Sequence, residues 1–337
     1  PLNNNYYNLL DEDVQMWQSQ LAEKYGIYAF AYYHYWFDGR LLLEKPMENM
    51  LRNKKIKTRF CISWANEPWT KAWVGDATTF LIPQRYGEKR EWKQHYDYLR
   101  AFFLDERYIK DNNRPLFIIY RPEVIPCLNE MLDYWNKCAQ EDGFDGMCFA
   151  YQTNTFDLIK GHDDSRFDYN IEFQPGYATM ELRDNKYKIL RRMRRAFTSF
   201  VEKRTGIQLM RFGQAKFDKI MNKNRMDYDE VWKKIIDTVP KTSKNLPGAF
   251  VAWDNTPRHG ENARVYYGDT PQKFQTYMTR QIKNARDIYS TDYLFITAWN
   301  EWAEGSYLEP DETHKYGYLE AIQKALQANN EFPKNEQ

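Results

Sequence analysis

The 337-residue sequence lacks several features that would each assign it to a broad functional class. It has no apolar run of about 18 residues and no signal-peptide pattern, so we predict no transmembrane span. Its 15 glycines form neither a GxxxxGK[ST] nor a GxGxxG loop, which argues against a nucleotide-phosphate cradle. Lysine and arginine total 48 against 47 acids, and this balance argues against a dedicated nucleic-acid binder.

Metal-ligand spacing is also missing. The four cysteines show no CxxC or Cys/His pattern, and no two of the five histidines have ligand spacing, so we predict no metal and no cofactor. Cys61 and Cys148 lie in apolar runs, where a thiol usually packs as a small hydrophobe. We therefore predict reduced thiols and a cytoplasmic protein. The oligomeric state is not indicated.

Aromatic residues, by contrast, are abundant. They make up 17% of a chain whose mean hydropathy is −0.83. Amphipathic rings in such numbers are typical of surfaces that bind flat, partly apolar groups such as sugar rings. A tyrosine-rich core in an ordinary enzyme would give the same composition, so this observation leaves both interpretations open.

Short apolar runs alternate with helical patterns along the chain. Each run is rich in β-branched or aromatic residues, as in strands buried on both faces of a parallel sheet. We therefore predict an α/β fold of the (β/α)8 TIM-barrel type that lacks its first strand, because only seven runs are found. The predicted strands are Gly26–Tyr33, Arg59–Ala65, Pro115–Tyr120, Gly146–Tyr151, Tyr169–Phe173, Gly248–Trp253 and Tyr293–Trp299.

We expect one domain over residues 1–337, with a helical insertion at 176–246. Within this insertion, residues 183–204 form a basic helical pattern with a net charge of +7. This pattern predicts either a lid or a surface that contacts an acidic glycan or a membrane surface, whereas a solvated helix is the simpler alternative. The other predicted helices are Asp11–Lys24, Arg90–Phe103, Ile125–Gln140, Tyr228–Val239, Pro271–Tyr289 and Tyr316–Asn329.

Polar and aromatic side chains cluster where the predicted strands end. In a parallel barrel the chemistry lies at these carboxyl ends. Carboxylates, amides and aromatic rings at nearly every end favour a carbohydrate site over a generic polar rim. The candidate substrate-binding residues are Tyr33, His34, Trp36, Trp64, Asn66, Glu67, Trp69, Arg121, Gln152, Glu172, Trp253, Asp254, Trp299, Asn300 and Trp302.

The strongest catalytic candidates are Glu301 and Glu304, which follow the last predicted strand. Their i, i+3 spacing places them on one side of the turn that follows. Two neighbouring carboxylates repel, so that one can stay protonated while the other is ionised. Such a pair supplies the acid and the base that cleavage of a glycosidic bond requires. Elsewhere, most Glu-x-x-Glu pairs simply lie on solvated helix faces.

Three other candidates have structural alternatives. Glu67 is held extended by Pro68, and it could equally cap a helix or form an ion pair. Glu172 lies between apolar neighbours, so its carboxylate must be paired or functional. His34 lies among aromatic residues, where a structural histidine is as plausible as a contact to a sugar hydroxyl.

Several sequence blocks resemble one protein family over nearly the whole chain. They are Tyr32–Phe37, Leu42–Pro46, Trp64–Trp69, Trp253–Arg258 and Ala298–Gly305 followed by Leu308–Pro310. These blocks are similar to those of the WbsX family, whose members are often described as glycosyltransferases of surface-polysaccharide clusters. The fold of that family resembles glycoside hydrolase family 99, the endo-α-mannosidases, which are (β/α)8 barrels.

The resemblance implies roles for individual residues. It makes Glu301 the base that deprotonates the sugar 2-hydroxyl, and it makes Glu304 the acid/base at the leaving oxygen. Glu67 would be a substrate-binding carboxylate. Relatives usually begin with a strand upstream of the point where this sequence starts, and that strand would be the missing eighth one.

Three functions therefore compete. They are a retaining glycoside hydrolase or transglycosidase of endo-mannosidase type acting on an oligo- or polysaccharide, a glycosyltransferase of lipopolysaccharide or O-antigen assembly, and a non-catalytic carbohydrate-binding barrel. A common sugar-nucleotide transferase uses an Asp-x-Asp metal clamp, and no strand end carries one. A silent binder would not need both Glu301 and Glu304. These arguments favour the hydrolase.

Overall fold

The structure is a computed structural model that describes residues 1–71, 76–153, 162–180, 182, 224–260 and 263–333. Within these ranges the α-helices are α1 Glu12–Tyr25, α2 Lys45–Arg52, α3 Lys89–Phe103, α4 Leu128–Glu141, α5 Tyr228–Ile236, α6 Thr256–His259, α7 Pro271–Asp287 and α8 Gly317–Ala328. Single 3-10 turns cover Leu2–Asn4, Pro122–Val124 and Trp302–Glu304. Each predicted helix outside 183–204 is present, with bounds that differ by a few residues.

The described strands are β1 Ala29–Phe37, β2 Arg40–Leu42, β3 Arg59–Trp64, β4 Trp69–Lys71, β5 Asp76–Ile82, β6 Lys110–Asp111, β7 Arg114–Ile119, β8 Cys148–Gln152, β9 Tyr169–Ile171, β10 Arg225–Asp227, β11 Asn245–Leu246, β12 Gly248–Phe250, β13 Trp253–Asp254, β14 Val265–Tyr267, β15 Phe295–Thr297, β16 Asn300–Glu301 and β17 Ser306–Tyr307. All seven predicted core strands overlap strands of this set.

A parallel sheet forms the centre of the molecule. Neighbouring strands pair in parallel in the order β1, β3, β7, β8, β9 and β11, and β12 pairs in parallel with β15. Because all these strands run the same way, their carboxyl ends share one edge, and the loops that follow them can build a single site.

Strands β11 and β12 are one extended segment interrupted at Pro247, which has no backbone N–H to donate to a ladder. The segment switches partner there: Leu246 O accepts from Glu172 N, and Pro247 O accepts from Phe295 N. A Cβ at Gly248 would lie 1.9 Å from the Glu172 carbonyl oxygen, so only glycine allows this close approach. The segment thus joins the two parts of the parallel sheet.

The predicted barrel is found in part. Within the described ranges no ladder joins β1 to β15, so these residues form an open, mixed α/β arrangement rather than a closed barrel. The rings of Phe30 and Trp299 pack between the two edge strands, with centroids 4.9 Å apart. That an eighth strand belongs between them remains a prediction.

Helices cover the outer face of the sheet and form two apolar cores. One core packs β3, β7 and β8 against α3 and α4, with Trp135 fully buried. The other packs β12 against α5, α7 and α8, with Trp232 fully buried. Burial of such large side chains fixes the strand positions, and hence the positions of the loops at their ends.

Short antiparallel additions lie beyond the carboxyl ends of the core strands. β2 pairs with the end of β1, β4 pairs with β5, β13 pairs with β14, and β16 pairs with β17. The last two pairs carry the residues discussed below.

The predicted insertion at 176–246 is described only at its two ends, and the basic segment 183–204 lies outside the described residues.

Candidate active site

The two candidate catalytic carboxylates lie in a tight hairpin after β15. Glu301 ends β16, and Glu304 ends the 3-10 turn Trp302–Glu304. Gly305 follows at φ +62°, a left-handed conformation that favours glycine, and the chain returns as β17, with Glu301 opposite Ser306. The hairpin places both carboxylates on the same turn, as their spacing predicts.

Arg258 bridges the two carboxylates. Its Nη1 lies 3.1 Å from Glu304 Oε1, and its Nη2 lies 3.3 Å from Glu301 Oε1. The planar guanidinium suits such a double contact, and it partly offsets the repulsion between two like charges. One cation thus holds both acids on the same side of the hairpin.

Local sequence explains how Arg258 reaches the pair. It lies on α6, at whose start Thr256 N donates to Asp254 Oδ1 over 2.9 Å. A Cβ at Gly305 would lie 3.0 Å from both Asp254 N and Asp254 O. Glycine therefore lets the β13–α6 loop pack directly against the hairpin, which brings the guanidinium over the carboxylates.

The electrostatic environment acts differently on the pKa values of Glu301 and Glu304. Burial raises the pKa of Glu301, and Arg258 opposes that shift. Burial also raises the pKa of Glu304, the charge of Glu301 raises it further, and Arg258 again opposes. Glu304 therefore has an additional reason to stay protonated while Glu301 is ionised.

Tyrosine side chains surround the pair on the β1 side. The negative charge of Glu301 contributes to the raised pKa values of Tyr33 and Tyr35, although burial is the larger cause for both. Burial also raises the pKa of Tyr120 to about 12, with contributions from Glu67 and Glu304. The charges of the carboxylates therefore act on tyrosines of both β1 and the end of β7.

Tyr33 also contacts residues at the ends of β7 and β8. Tyr33 packs edge-to-face on Tyr120, with ring centroids 6.4 Å apart. A hydrogen bond with the Gln152 side chain lowers the pKa of Tyr33 against the larger effect of burial. Gln152 Oε1 is buried and accepts no hydrogen bond from any described residue.

A second acid–arginine cluster lies at the ends of β3 and β7. Arg121 Nη1 contacts Glu67 Oε1 at 2.5 Å, and Arg121 Nε contacts Glu123 Oε1 at 2.6 Å. The Glu67 side chain remains 38% exposed. The charges of Glu67 and Glu304 both contribute to the raised pKa of Tyr120, after burial.

The structure brings further candidates to this region. The Trp69 ring lies 5.4 Å from that of Tyr35. Asp254 supports the α6 loop, and half-buried Trp253 precedes it in β13. Trp299, Asn300 and Trp302 lie next to the candidate catalytic residues in sequence, and Trp302 stacks on Tyr307 at 3.7 Å between centroids.

Three aromatic candidates instead lie in the core. His34, Trp36 and Trp64 are all buried. His34 Nε2 lies 2.8 Å from His95 Nε2 of α3, and the rings of Trp36 and His95 stack at 4.4 Å. Because β1 continues to Phe37, alternate side chains point to opposite faces, so His34 and Trp36 meet the helices while Tyr33 and Tyr35 do not.

Two polar candidates are engaged in structural hydrogen bonds. Asn66 is fully buried; its Nδ2 donates to Arg121 O, and its Oδ1 accepts from Arg121 N, which clamps two strand ends together. Glu172 is also fully buried and accepts from Asn245 Nδ2 and Tyr289 OH. Neither residue contacts Glu301 or Glu304 through these bonds.

Sequence reasoning did not select Arg258, Tyr35 or Tyr120 as site residues. Arg258 ends the Trp253–Arg258 block that resembles the family. Two neighbouring carboxylates are stabilised by a nearby cation, and this would have indicated an arginine. Tyr35 and Tyr120 stood in the aromatic clusters at strand ends. If the end of β1 were known, the alternation of its side chains would have indicated Tyr35, which lies on the same face as Tyr33.

The placement of neighbouring residues on opposite faces of β1 gives a prediction. His34→Ala leaves the buried His95 without its partner, so we expect the free energy of unfolding to fall by about 1–3 kcal/mol while glycan binding is retained. Tyr33→Ala should do the reverse, weakening binding with little change in stability. Urea unfolding and glycan-binding calorimetry of both variants check this; weaker glycan binding by a stably folded His34→Ala would contradict it.

Among the residues with described coordinates, no group of three or more His, Cys, Asp or Glu side chains could hold a metal ion. Over the same residues, no helix has the length and apolar character needed to cross a bilayer. All four cysteines are free thiols.

The fold places the protein in a structural class. It is similar to the family 99 endo-α-mannosidase from Bacteroides thetaiotaomicron, with a TM-score of 0.53 at 13% identity over 97% of this chain and 81% of that chain. It is also similar to a structure described as a glycoside hydrolase-like protein, with a TM-score of 0.56 at 10% identity over 97% and 88%. The fold is therefore of the glycoside-hydrolase-like, TIM-barrel type.

The sequence specifies the family. Residues 1–322 match the family described as glycosyltransferase WbsX, and the chain belongs to that family. It is 27% identical over 333 residues to the uncharacterized protein WxcX of Xanthomonas campestris pv. campestris. That match covers 97% of this chain but 43% of the relative, so the chain spans less than half of the relative's length.

Proposed function

We propose that the protein cleaves or transfers glycosidic bonds of an oligo- or polysaccharide by a retaining mechanism, with Glu301 and Glu304 as its catalytic residues. The observation that carries this proposal is the shared guanidinium: one arginine holds both carboxylates on a single hairpin turn beside tyrosine rings. Two acids with separated protonation tendencies supply the base and the acid that this chemistry requires.

In the first step, ionised Glu301 removes the proton of the sugar 2-hydroxyl, and that oxygen attacks the anomeric carbon. The bond to the leaving oxygen breaks as Glu304 gives that oxygen its proton. The product is a 1,2-anhydro sugar. The additional rise of the Glu304 pKa caused by the charge of Glu301 supports this division of roles.

In the second step, Glu304, now a carboxylate, takes a proton from water or from an acceptor hydroxyl. The freed oxygen opens the anhydro ring at the anomeric carbon, and Glu301 returns its proton to the 2-oxygen. Two inversions give net retention. Water as acceptor gives hydrolysis, and a sugar hydroxyl gives transglycosylation.

The aromatic and polar side chains described above would provide binding groups for the substrate. The rings of Tyr33, Tyr35 and Trp69 offer faces for sugar stacking. Glu67 and Arg121 offer acceptors and donors for hydroxyls beside the catalytic pair.

A glycosyltransferase of surface-polysaccharide assembly is the second candidate, because the family description names that activity. In that case, Glu301 or Glu304 would serve as the base that activates an acceptor hydroxyl. A nucleotide-activated sugar would then be consumed, which a hydrolase or transglycosidase does not require.

One experiment separates the candidates. The protein is incubated with α-mannan oligosaccharides and bacterial surface polysaccharides, with and without sugar nucleotides, and products are followed by mass spectrometry and by the NMR signals of the anomeric protons. We expect shorter or rearranged glycans of retained configuration without any nucleotide. Product formation only with a sugar nucleotide would replace the proposal with the transferase, and binding without turnover would favour a non-catalytic barrel.

An acidic glycan or a membrane surface is the further partner proposed for the basic segment 183–204, with a net charge of +7. Binding to acidic oligosaccharides or anionic vesicles should then weaken as salt rises. Binding that does not change with salt would contradict this role.

A further inference from the structure

A third carboxylate lies behind the catalytic hairpin. Glu309 is only 2% exposed, and its side chain accepts from Tyr7 OH at 2.6 Å, from Gln18 Nε2 at 2.7 Å and from Trp302 Nε1 at 2.7 Å. No lysine or arginine of the described ranges forms an ion pair with it. Burial of a carboxyl group without a cation partner costs free energy, so a functional role for Glu309 would explain why it is there.

The partners of Glu309 flank Glu301 on both sides. Trp302, the next residue, donates its indole N–H directly to Glu309 Oε2. Asn300, the preceding residue, donates to Tyr7 OH over 3.2 Å, and the same hydroxyl donates to Glu309 Oε2. One carboxylate oxygen therefore holds both sequence neighbours of Glu301, one directly and one through a tyrosine.

The backbone reinforces this connection. The amides of Leu308 and Glu309 both donate to Trp299 O, at 2.9 and 3.2 Å. Gln18 of α1 and Tyr7 of the amino-terminal segment fix the Glu309 side chain from the other side. The hairpin is thus attached at its base to a helix of the body of the protein.

We infer that Glu309 is a positioning residue, whose carboxylate holds Asn300 and Trp302 and thereby sets the direction in which Glu301 projects. The hydrogen bond from Trp302 and the link through Tyr7 to Asn300 restrict the hairpin, and Gln18 fixes the other carboxylate oxygen. Catalytic groups must be held within about 0.5 Å of productive geometry, and supporting side chains provide that constraint. For its effect on turnover, this inference rests on the proposed function; for its effect on the hairpin, it does not.

The test compares three variants with one control. Glu309→Ala removes all three acceptor contacts. Glu309→Gln keeps an acceptor toward Tyr7 and Trp302, provided that the Gln18 amide turns over. Tyr7→Phe removes the hydroxyl that donates to Glu309 and accepts from Asn300, and it leaves the contacts of Glu309 with Trp302 and Gln18. Glu320→Ala, an exposed glutamate on α8, is the matched control.

The first readout needs no substrate. Hydrogen–deuterium exchange is followed for the peptide covering 299–309, which contains the protected amides of Leu308 and Glu309. We expect about tenfold faster exchange in this peptide for Glu309→Ala, a smaller increase for Tyr7→Phe, and near wild-type exchange for Glu309→Gln and Glu320→Ala. Uniformly faster exchange across the whole protein would show a general stability role and overturn the inference.

The second readout is kinetic. With a glycan that the wild type turns over, we expect Glu309→Ala to lower kcat by about 10–100-fold with little change in KM, and Glu309→Gln to restore most of it. Full kcat in Glu309→Ala would overturn the inference. If no glycan is turned over by the wild type, the proposed function fails, and the exchange experiment alone decides the positioning role. If Glu309→Ala does not fold, Tyr7→Phe decides in its place, and wild-type exchange in its 299–309 peptide overturns the inference.

Discussion

Glu301→Gln and Glu304→Gln are each expected to lower turnover of a natural glycan by about 10²–10⁴-fold while the protein stays folded. Glutamine keeps the shape of the side chain but can neither accept a proton as a base nor deliver one as an acid. Both side chains are partly exposed, at 39% and 21%, and each single substitution leaves Arg258 in contact with the other carboxylate. Initial rates and thermal midpoints measure the two effects separately.

An activated aryl glycoside distinguishes the two roles. Its leaving group needs little protonation, so it should rescue the first step in Glu304→Gln but not in Glu301→Gln. Glu320→Gln, a change of the same type on an exposed helix, is the control and should behave as wild type. If both active-site variants match the wild type on natural glycans, the proposed chemistry is wrong.

The strand content of the fold could be predicted because buried parallel strands are nearly continuous apolar runs. The limits of those strands were harder to predict. The run Gly26–Tyr33 was expected to end before His34, but β1 continues to Phe37, since aromatic residues suit a half-buried extended strand. At the other side, the predicted strand Gly248–Trp253 corresponds to β12 and the start of β13, whereas β11, just before Pro247, falls within the predicted helical insertion.

The error at the end of β1 accounts for much of the difference within the site. In a loop, the side chains of His34 and Trp36 could turn toward a ligand. In a strand, side chains alternate between the two faces, so both point toward the helices. Trp64 lies opposite His34 in the β1–β3 register and follows it into the same core. A sequence cannot settle this parity unless the strand end is known, because a shift of one residue exchanges the two faces.

Long-range polar contacts were beyond sequence reasoning. Glu301 and Arg258 are 43 positions apart, and their contact depends on the approach of Gly305 to the Asp254 backbone. Glu172 was expected to be paired or functional; the structure shows partners for it, Asn245 and Tyr289, but the sequence could not name them. By contrast, the short i, i+3 spacing of Glu301 and Glu304 placed them on one turn as predicted.

Arg258→Gln is expected to move the whole pH–activity profile to higher pH. In the proposed mechanism, activity requires ionised Glu301, so it rises as pH passes the pKa of that group. It also requires protonated Glu304, so it falls as pH passes the pKa of the second group. Arg258 lowers the pKa of both carboxyls against the effect of burial. Removing its charge raises both values, so both limbs shift upward, by about one to three pH units.

The size of that shift should follow the closeness of the charge. Arg264, which is exposed and directly precedes β14, also lowers the pKa of Glu304, but by less than Arg258 does. Arg264→Gln makes the same chemical change farther from the pair and should shift only the alkaline limb, and by less. Arg258→Lys keeps the charge without the double contact, so its profile should lie between those of the wild type and Arg258→Gln. A profile of Arg258→Gln that keeps its position on the pH axis would mean that the guanidinium does not set the protonation of the pair, and the acid and base roles would need reassignment.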